Sequence, residues 1–226
     1  MFEFERVSQQ FQEEFDSLLF EVRYLADLFR DTNFLGSPRN FEHAHYGYLM
    51  ACMGRLDQYS LFWRGPDAGS QTQRMIDFLA HFVFPIGELD HVHSVVVQMF
   101  RHSLMHTGAL RFAYDRREQV GYTWRVHFGV LPPNIEHYSI TPVDPQYQDR
   151  LLATLPADAR DVRDLRAINL SIPSLVDNLY GGVGRYMHEL RESDELQRLY
   201  LQAEAYMNMQ VFTHRPPTPR PAAPPR

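Results

Sequence analysis

Residues 4–29 read FERVSQQFQEEFDSLLFEVRYLADLF, and this stretch sets the class of the fold. Phe4, Val7, Phe11, Phe15, Leu18, Val22, Leu25 and Phe29 recur at steps of three and four. That spacing draws one apolar stripe along a helix over 3–31. Gln9, Gln12, Glu13, Glu14, Asp16 and Arg23 occupy the other faces, so the helix must bury its stripe against later elements. Asp31-Thr32-Asn33 and Gly36-Ser37-Pro38 supply stop and turn chemistry.

The same period continues. A helix over 41–63 carries Leu49, Cys52, Leu56, Tyr59 and Trp63 on one side, and the run Arg64-Gly-Pro-Asp-Ala-Gly ends it. A third helix covers 70–84 and closes at Pro85. A fourth spans 88–106, with Thr107-Gly108 as its stop. After a break, Leu175, Leu179, Val183, Tyr186 and Leu190 mark a helix over 174–191, with Ser174 and Asp177 at capping-box spacing. A last helix runs over 195–211.

Between them the period changes to two. Leu110, Phe112 and Tyr114, then Tyr122, Trp124, Val126 and Phe128, alternate with polar residues around the loop DRREQVG. This predicts a hairpin with one apolar face, and Tyr138–Ile140 and Ala167–Leu170 read as short strands beside it. Residues 142–163 read as a connector over the sheet, with a short amphipathic stretch at Tyr147–Leu155. The expectation is a mainly α chain: one helical-bundle domain over 1–212, with a small antiparallel β insertion over 109–171. The tail 213–226, ending PPTPRPAAPPR, cannot build a core and is expected to be disordered.

Composition narrows the function classes. The chain has 226 residues, 44% apolar and 22% charged, which is ordinary for a globular protein. No run of apolar residues is long enough for a membrane span. The first residues carry acids rather than a basic-then-apolar segment, so no signal peptide is expected and the cytoplasm is the expected compartment. The lone Cys52 excludes a disulfide framework. All 22 basic residues are arginine, and the net charge of −6 argues against non-specific coating of nucleic acid while leaving room for a compact arginine-lined RNA site.

Chemistry concentrates on the fourth helix. Val92, Val95, Val96, Met99, Phe100 and Leu104 read as its buried face. Opposite them His91, Ser94, Gln98, Arg101, His102 and His106 form a polar stripe. Imidazoles, a hydroxyl, an amide and one guanidinium suit a site better than a solubilising face. His102 and His106 are neighbours at i, i+4. In the last turn, exposed carbonyls favour the protonated form of His106.

The string RHSLMHTG at 101–108 resembles the Arg–polar–several residues–His signature of the HEPN superfamily, with Arg101, His102 in the polar second place, and His106. The resemblance implies a helical bundle, covering about 1–108 and the helices after 174, with the β segment as an insertion. It also implies a metal-independent endoribonuclease, of a kind often found as a toxin or defence effector, or else a non-catalytic RNA- or nucleotide-binding or protein-interaction module. A second Arg-polar…His string, Arg39-Asn40 to His45, straddles a turn and a helix start, and its histidine falls on an apolar stripe.

If the resemblance holds, RNA supplies its own nucleophile in the ribose 2′-hydroxyl. Arg101 binds the scissile phosphate and offsets its developing charge. His106 transfers the proton, and His102 orients Arg101 or carries a second proton. Gln98, Ser94, His91 and Arg111 are the candidate substrate contacts. Two motifs meeting across a homodimer would complete the site. The products would be a 2′,3′-cyclic phosphate and a 5′-hydroxyl, with no metal or cofactor, and an antitoxin or regulatory protein is a candidate partner.

The rival class is a metal enzyme built on histidines. His43/His45 and His91/His93 are two apart, which on a helix points them away from each other. His102/His106 has chelating spacing, but Arg101 would repel a cation. His43, His45, His81 and His93 read instead as core or boundary residues, and Gly181-Gly182-Val183-Gly184 as a site of close helix packing. Cys52 reads as buried and inert. The aromatic hairpin face reads as packing on the bundle. Arg111, Arg116, Arg117 and Arg125 could hold phosphate or form solvated ion pairs.

Overall fold

The long apolar stripe folds as expected. In the computed structural model, which describes residues 2–30, 42–83, 90–98, 113–115, 118–127, 138–154, 162 and 164–208, helix α1 spans Phe4–Arg30. Val7, Phe11, Phe15, Leu19 and Val22 are buried, with Phe4, Leu18 and Leu25 half-buried against them. Its outer face is laced by i, i+4 bonds from Gln9 to Glu13 (2.8 Å), Gln10 to Glu14 (3.1 Å) and Gln12 to Asp16 (2.7 Å). Each such pair contributes a few tenths of a kcal/mol.

Helix α2 spans Glu42–Arg64. Leu49, Cys52, Leu56, Tyr59 and Trp63 are all buried, joined by Met53 and Phe62, because α2 is covered from more than one side. It ends at Gly65, whose φ of 79° lets its N–H fold back on the Leu61 carbonyl at 2.8 Å. Ser70 then caps α3 (Gln71–Phe78), accepting from the Gln73 N–H at 3.2 Å.

The expected helix over 70–84 is not uniform. Beyond Phe78 it widens into a π-helical turn, Leu79–Val83. Arg185 Nε donates to the Phe82 carbonyl at 2.8 Å, so this turn is tied to a later helix. Helix α4 covers Asp90–Val96. The rest of the helix expected over 88–106 lies outside the described residues.

Four strands form one sheet in the order β1-β2-β4-β3: β1 Ala113–Asp115, β2 Val120–His127, β3 Tyr138–Pro142 and β4 Asp164–Ser171. The hairpin β1–β2 is antiparallel, as is β3–β4. The expectation of an antiparallel insertion fails at its centre, where β2 and β4 run parallel from Val120↔Asp164 to His127↔Ser171. The sheet is therefore mixed. Strand β4 inserts between β2 and β3, and the parallel pairing needs a crossover, which β3 and helix α5 (Pro145–Thr154) provide. The amphipathic stretch near Tyr147 is this helix.

Alternation along the strands sends each face to a different partner. Tyr122, Ile168 and Leu170, with Ala113, Trp124, Val126 and Ile140, pack on the main core, and the Trp124 ring meets Tyr46 of α2 edge-on at 6.0 Å. Leu165 and Ala167 point the other way and join Val143, Leu152 and Val162 in a smaller cluster. The aromatic face of the hairpin is thus packing surface where it is described. Phe112 and Phe128 lie outside the described residues.

Helix α6, Ile172–Glu192, follows β4 without a loop. Its cap is Ser171 rather than Ser174: the Ser171 hydroxyl accepts from the Ser174 N–H at 3.3 Å, and Pro173 sits in the first turn. Ser193 separates α6 from α7, Asp194–Asn208, and caps it through the Leu196 N–H at 3.3 Å. Helix α6 runs through the middle of the molecule, touching α1, α2, α7 and the π turn. An added Cβ at Gly182 would stand 2.8 Å from Val83 Cγ2, so this glycine does serve close helix packing. One apolar cluster unites α1–α4, the inner sheet face, α6 and α7. The tail 213–226 lies outside the described residues. No described helix is long and apolar enough to cross a membrane.

Candidate functional site

Helix α4 divides as its sequence demands, with one shift of phase. Val95, Val96 and Val97 are buried, and His93 is buried with them at 1% exposure. Ser94 is half-buried and Gln98 exposed, so the described part of the polar stripe does face outward. Val97 was not expected on the buried side. It faces inward because it stands four residues after the buried His93 and next to Val96, on one helical stripe, while Val97 and Gln98 themselves lie in a wider, π-type turn. A π turn takes more residues than the 3.6-residue period that carries the stripe from Gln98 to Arg101.

The remaining candidates stand as follows. The backbone of His91 is in α4, but its side chain lies outside the described set, as do the side chains of His43, His45 and Arg125. Arg101, His102, His106, Arg111, Arg116 and Arg117 lie outside the described residues altogether, as do Arg39 and Asn40. The structure therefore brings together Ser94 and Gln98 of the expected site and does not bear on the rest. Among the described residues no three of His, Cys, Asp and Glu lie close enough to hold a metal ion.

Helix α4 packs against α3 and the π turn. That turn carries a cluster the sequence did not single out. The His81 ring stacks on Trp63 at 5.2 Å with 19° between planes, and its Nε2 lies 3.7 Å from Glu189. The Arg64 guanidinium sits over the same indole at 3.8 Å and 3.7 Å from Asp77. His81 is thus a boundary residue, half-exposed and paired. No sequence signal joins these residues, because they come from α2, α3, the π turn and α6 and meet only in the fold.

A second polar network links α1 to α2. Glu14 accepts from Arg55 Nη1 at 2.9 Å and from the Tyr59 hydroxyl at 3.3 Å. Burial first, and then the Glu14 charge, raises the Tyr59 phenol above its ordinary value. Cys52 is fully buried, and burial pushes its thiol up to about 12, which removes it from nucleophilic chemistry near neutrality.

Comparison with known families, with curated proteins and with solved structures finds no match to this chain.

Proposed function

We propose that the chain is a metal-independent endoribonuclease of HEPN type, working as a cytoplasmic homodimer and acting as a toxin or defence effector. The observation that supports this is the face of α4 on which Gln98 is exposed and Ser94 half-buried, while Val95, Val96 and Val97 are buried. In sequence that face runs directly into Arg101, His102 and His106. An amide, a hydroxyl, a guanidinium and imidazoles are groups that hold a phosphodiester and move its protons.

The chemistry balances without a cofactor. The 2′-oxygen bonds to phosphorus as His106 takes its proton, and the bond to the 5′-oxygen breaks. A second imidazole, His102 or the His106 of a second copy, gives that oxygen a proton. Arg101 offsets the charge gathering on the phosphate oxygens. The wider turn at Val97–Gln98 favours a second reading, in which Arg101 and His106 fall out of line with Ser94 and the same face binds RNA or a nucleotide, or docks a protein, without cutting.

The test uses the full chain, bulk RNA and short oligoribonucleotides in excess chelator. Cleavage to cyclic-phosphate ends is expected, falling at least about a hundredfold in Arg101→Ala and in His106→Ala. Circular dichroism must show both variants folded. Cleavage that survives both substitutions refutes the proposal, and saturable RNA binding with no cleavage moves the conclusion to the second reading.

A further inference from the structure

A groove of about 800 Å³ lies between α2, the start of α3 and the end of α7. Arg55, Asp57, Gln58, Gln71, Arg74 and Tyr206 are among its walls. Two hydrogen bonds join them, Arg55 to Gln58 and Gln71 to Asp57, and neither involves Arg74.

Arg74 is the least satisfied. Its Nη1 reaches the Ala68 and Gly69 carbonyls only at 3.4 and 3.3 Å. Its Nε–H is buried and meets no acceptor among the described residues, and no described carboxylate forms an ion pair with it. A buried guanidinium N–H without an acceptor is costly, and a ligand bringing an oxygen to it relieves that cost.

The neighbours point the same way. Arg55 gives Nη1 to Glu14 at 2.9 Å and to the Gln58 carbonyl oxygen at 2.8 Å, which turns the Gln58 N–H₂ away from that bond. Gln71 donates to the Asp57 carboxylate, so an amide rather than either arginine takes up part of that charge. The groove thus holds more donors than acceptors, with two planar guanidinium groups matched to tetrahedral or planar oxyanions. At its rim Tyr206 and Met207, 50% and 41% exposed, offer an aromatic and a thioether surface beside the charged floor.

We infer that this groove binds a phosphate group, with Arg74 as principal anchor, Arg55 and Gln58 as further donors, and Tyr206 against the body of a phosphate ester. The site uses no residue of α4 and stands independently of the nuclease proposal.

Calorimetric titration of the full chain with inorganic phosphate and with phenyl phosphate tests it. Saturable binding in the millimolar range or tighter is expected, weakened at least about tenfold in Arg74→Gln. Asp57→Asn removes the one carboxylate among the described residues of the walls and should tighten binding about threefold, a gain no unfolding effect produces. Tyr206→Ala separates the two sources of the anion. Loss confined to phenyl phosphate identifies an ester as the ligand, and unchanged, equal binding of both identifies free phosphate. The inference is overturned if neither anion binds the wild-type chain, if folded Arg74→Gln binds as tightly as wild type, or if Asp57→Asn weakens binding.

Discussion

Two glycines two residues apart on α6 should respond differently to the same substitution. At Gly184 an added Cβ meets nothing within 4 Å. Gly184→Ala therefore gains only helix propensity, about 0.8–1.0 kcal/mol. At Gly182 the same atom would lie 2.8 Å from Val83 Cγ2 and 3.2 Å from both the Phe82 carbonyl oxygen and Val83 Cα. Carbon atoms rest at about 3.5–4.0 Å, so the overlap is most of an ångström. Val83 is 4% exposed and cannot swing into solvent, and the other two atoms are backbone. Relief requires α6 to back away from the π turn, stretching the 2.8 Å bond from Arg185 to the Phe82 carbonyl. Overpacking of this kind costs about 1–3 kcal/mol, which offsets or outweighs the propensity gain and leaves Gly182→Ala about 0–2 kcal/mol less stable than wild type and below Gly184→Ala in either case. Urea unfolding followed by circular dichroism reads both variants as midpoint shifts at constant slope. Thermal midpoints should move about 2–4 °C per kcal/mol in a chain of this size, level or down for Gly182→Ala and up for Gly184→Ala. If Gly182→Ala is stabilised as much as Gly184→Ala, α6 does not press on the π turn, and the packing described here is wrong.

The tyrosine cluster yields two more expectations. The Tyr186 hydroxyl is buried without a hydrogen-bond partner among the described residues, so Tyr186→Phe should leave stability unchanged or raise it by up to about 1 kcal/mol in the same urea assay, and a loss above that would show a missed partner. Burial, as the first cause in each, holds the phenols of Tyr59 and Tyr186 above their ordinary value and pushes Tyr200 up to about 12. These groups stay protonated in the folded chain at a pH where the unfolded chain ionises, so stability is whole below the ordinary value of 10.0 and falls as pH rises from there toward about 12. Ultraviolet titration should show them ionising only as helical circular dichroism is lost, and early ionisation with the helices intact would contradict their burial.

The helices were legible because a stripe needs only local information. Steps of three and four put Val7, Phe11, Phe15 and Val22 on one side of α1 whatever lies opposite, and the same holds for Leu49, Cys52, Leu56, Tyr59 and Trp63 on α2. Alternation likewise separated the faces of β2, but on β1 it put Tyr114 on the apolar side, whereas Ala113, paired with Tyr122, packs on the main core. It said nothing of neighbours, so the parallel pairing of β2 with β4 was missed. The candidate site was legible only as a stripe on α4, and Val97 was missed on the buried side because the stripe was drawn without His93, whose i+3 and i+4 neighbours are Val96 and Val97. The residues of the groove, from α2, α3 and α7, share no pattern in the chain.

What the amino-acid order determined on its own was each element's type and which of its sides is apolar, since both depend on residues within a few positions of one another. Which elements meet was decided only in three dimensions: β4 between β2 and β3, Gly182 against Val83, and Arg74 beside Arg55. The physical reason is that burial and local hydrogen bonding reward an apolar side for being covered without specifying by what. Partner, register and unpaired donors emerge only when the whole set of surfaces packs at once.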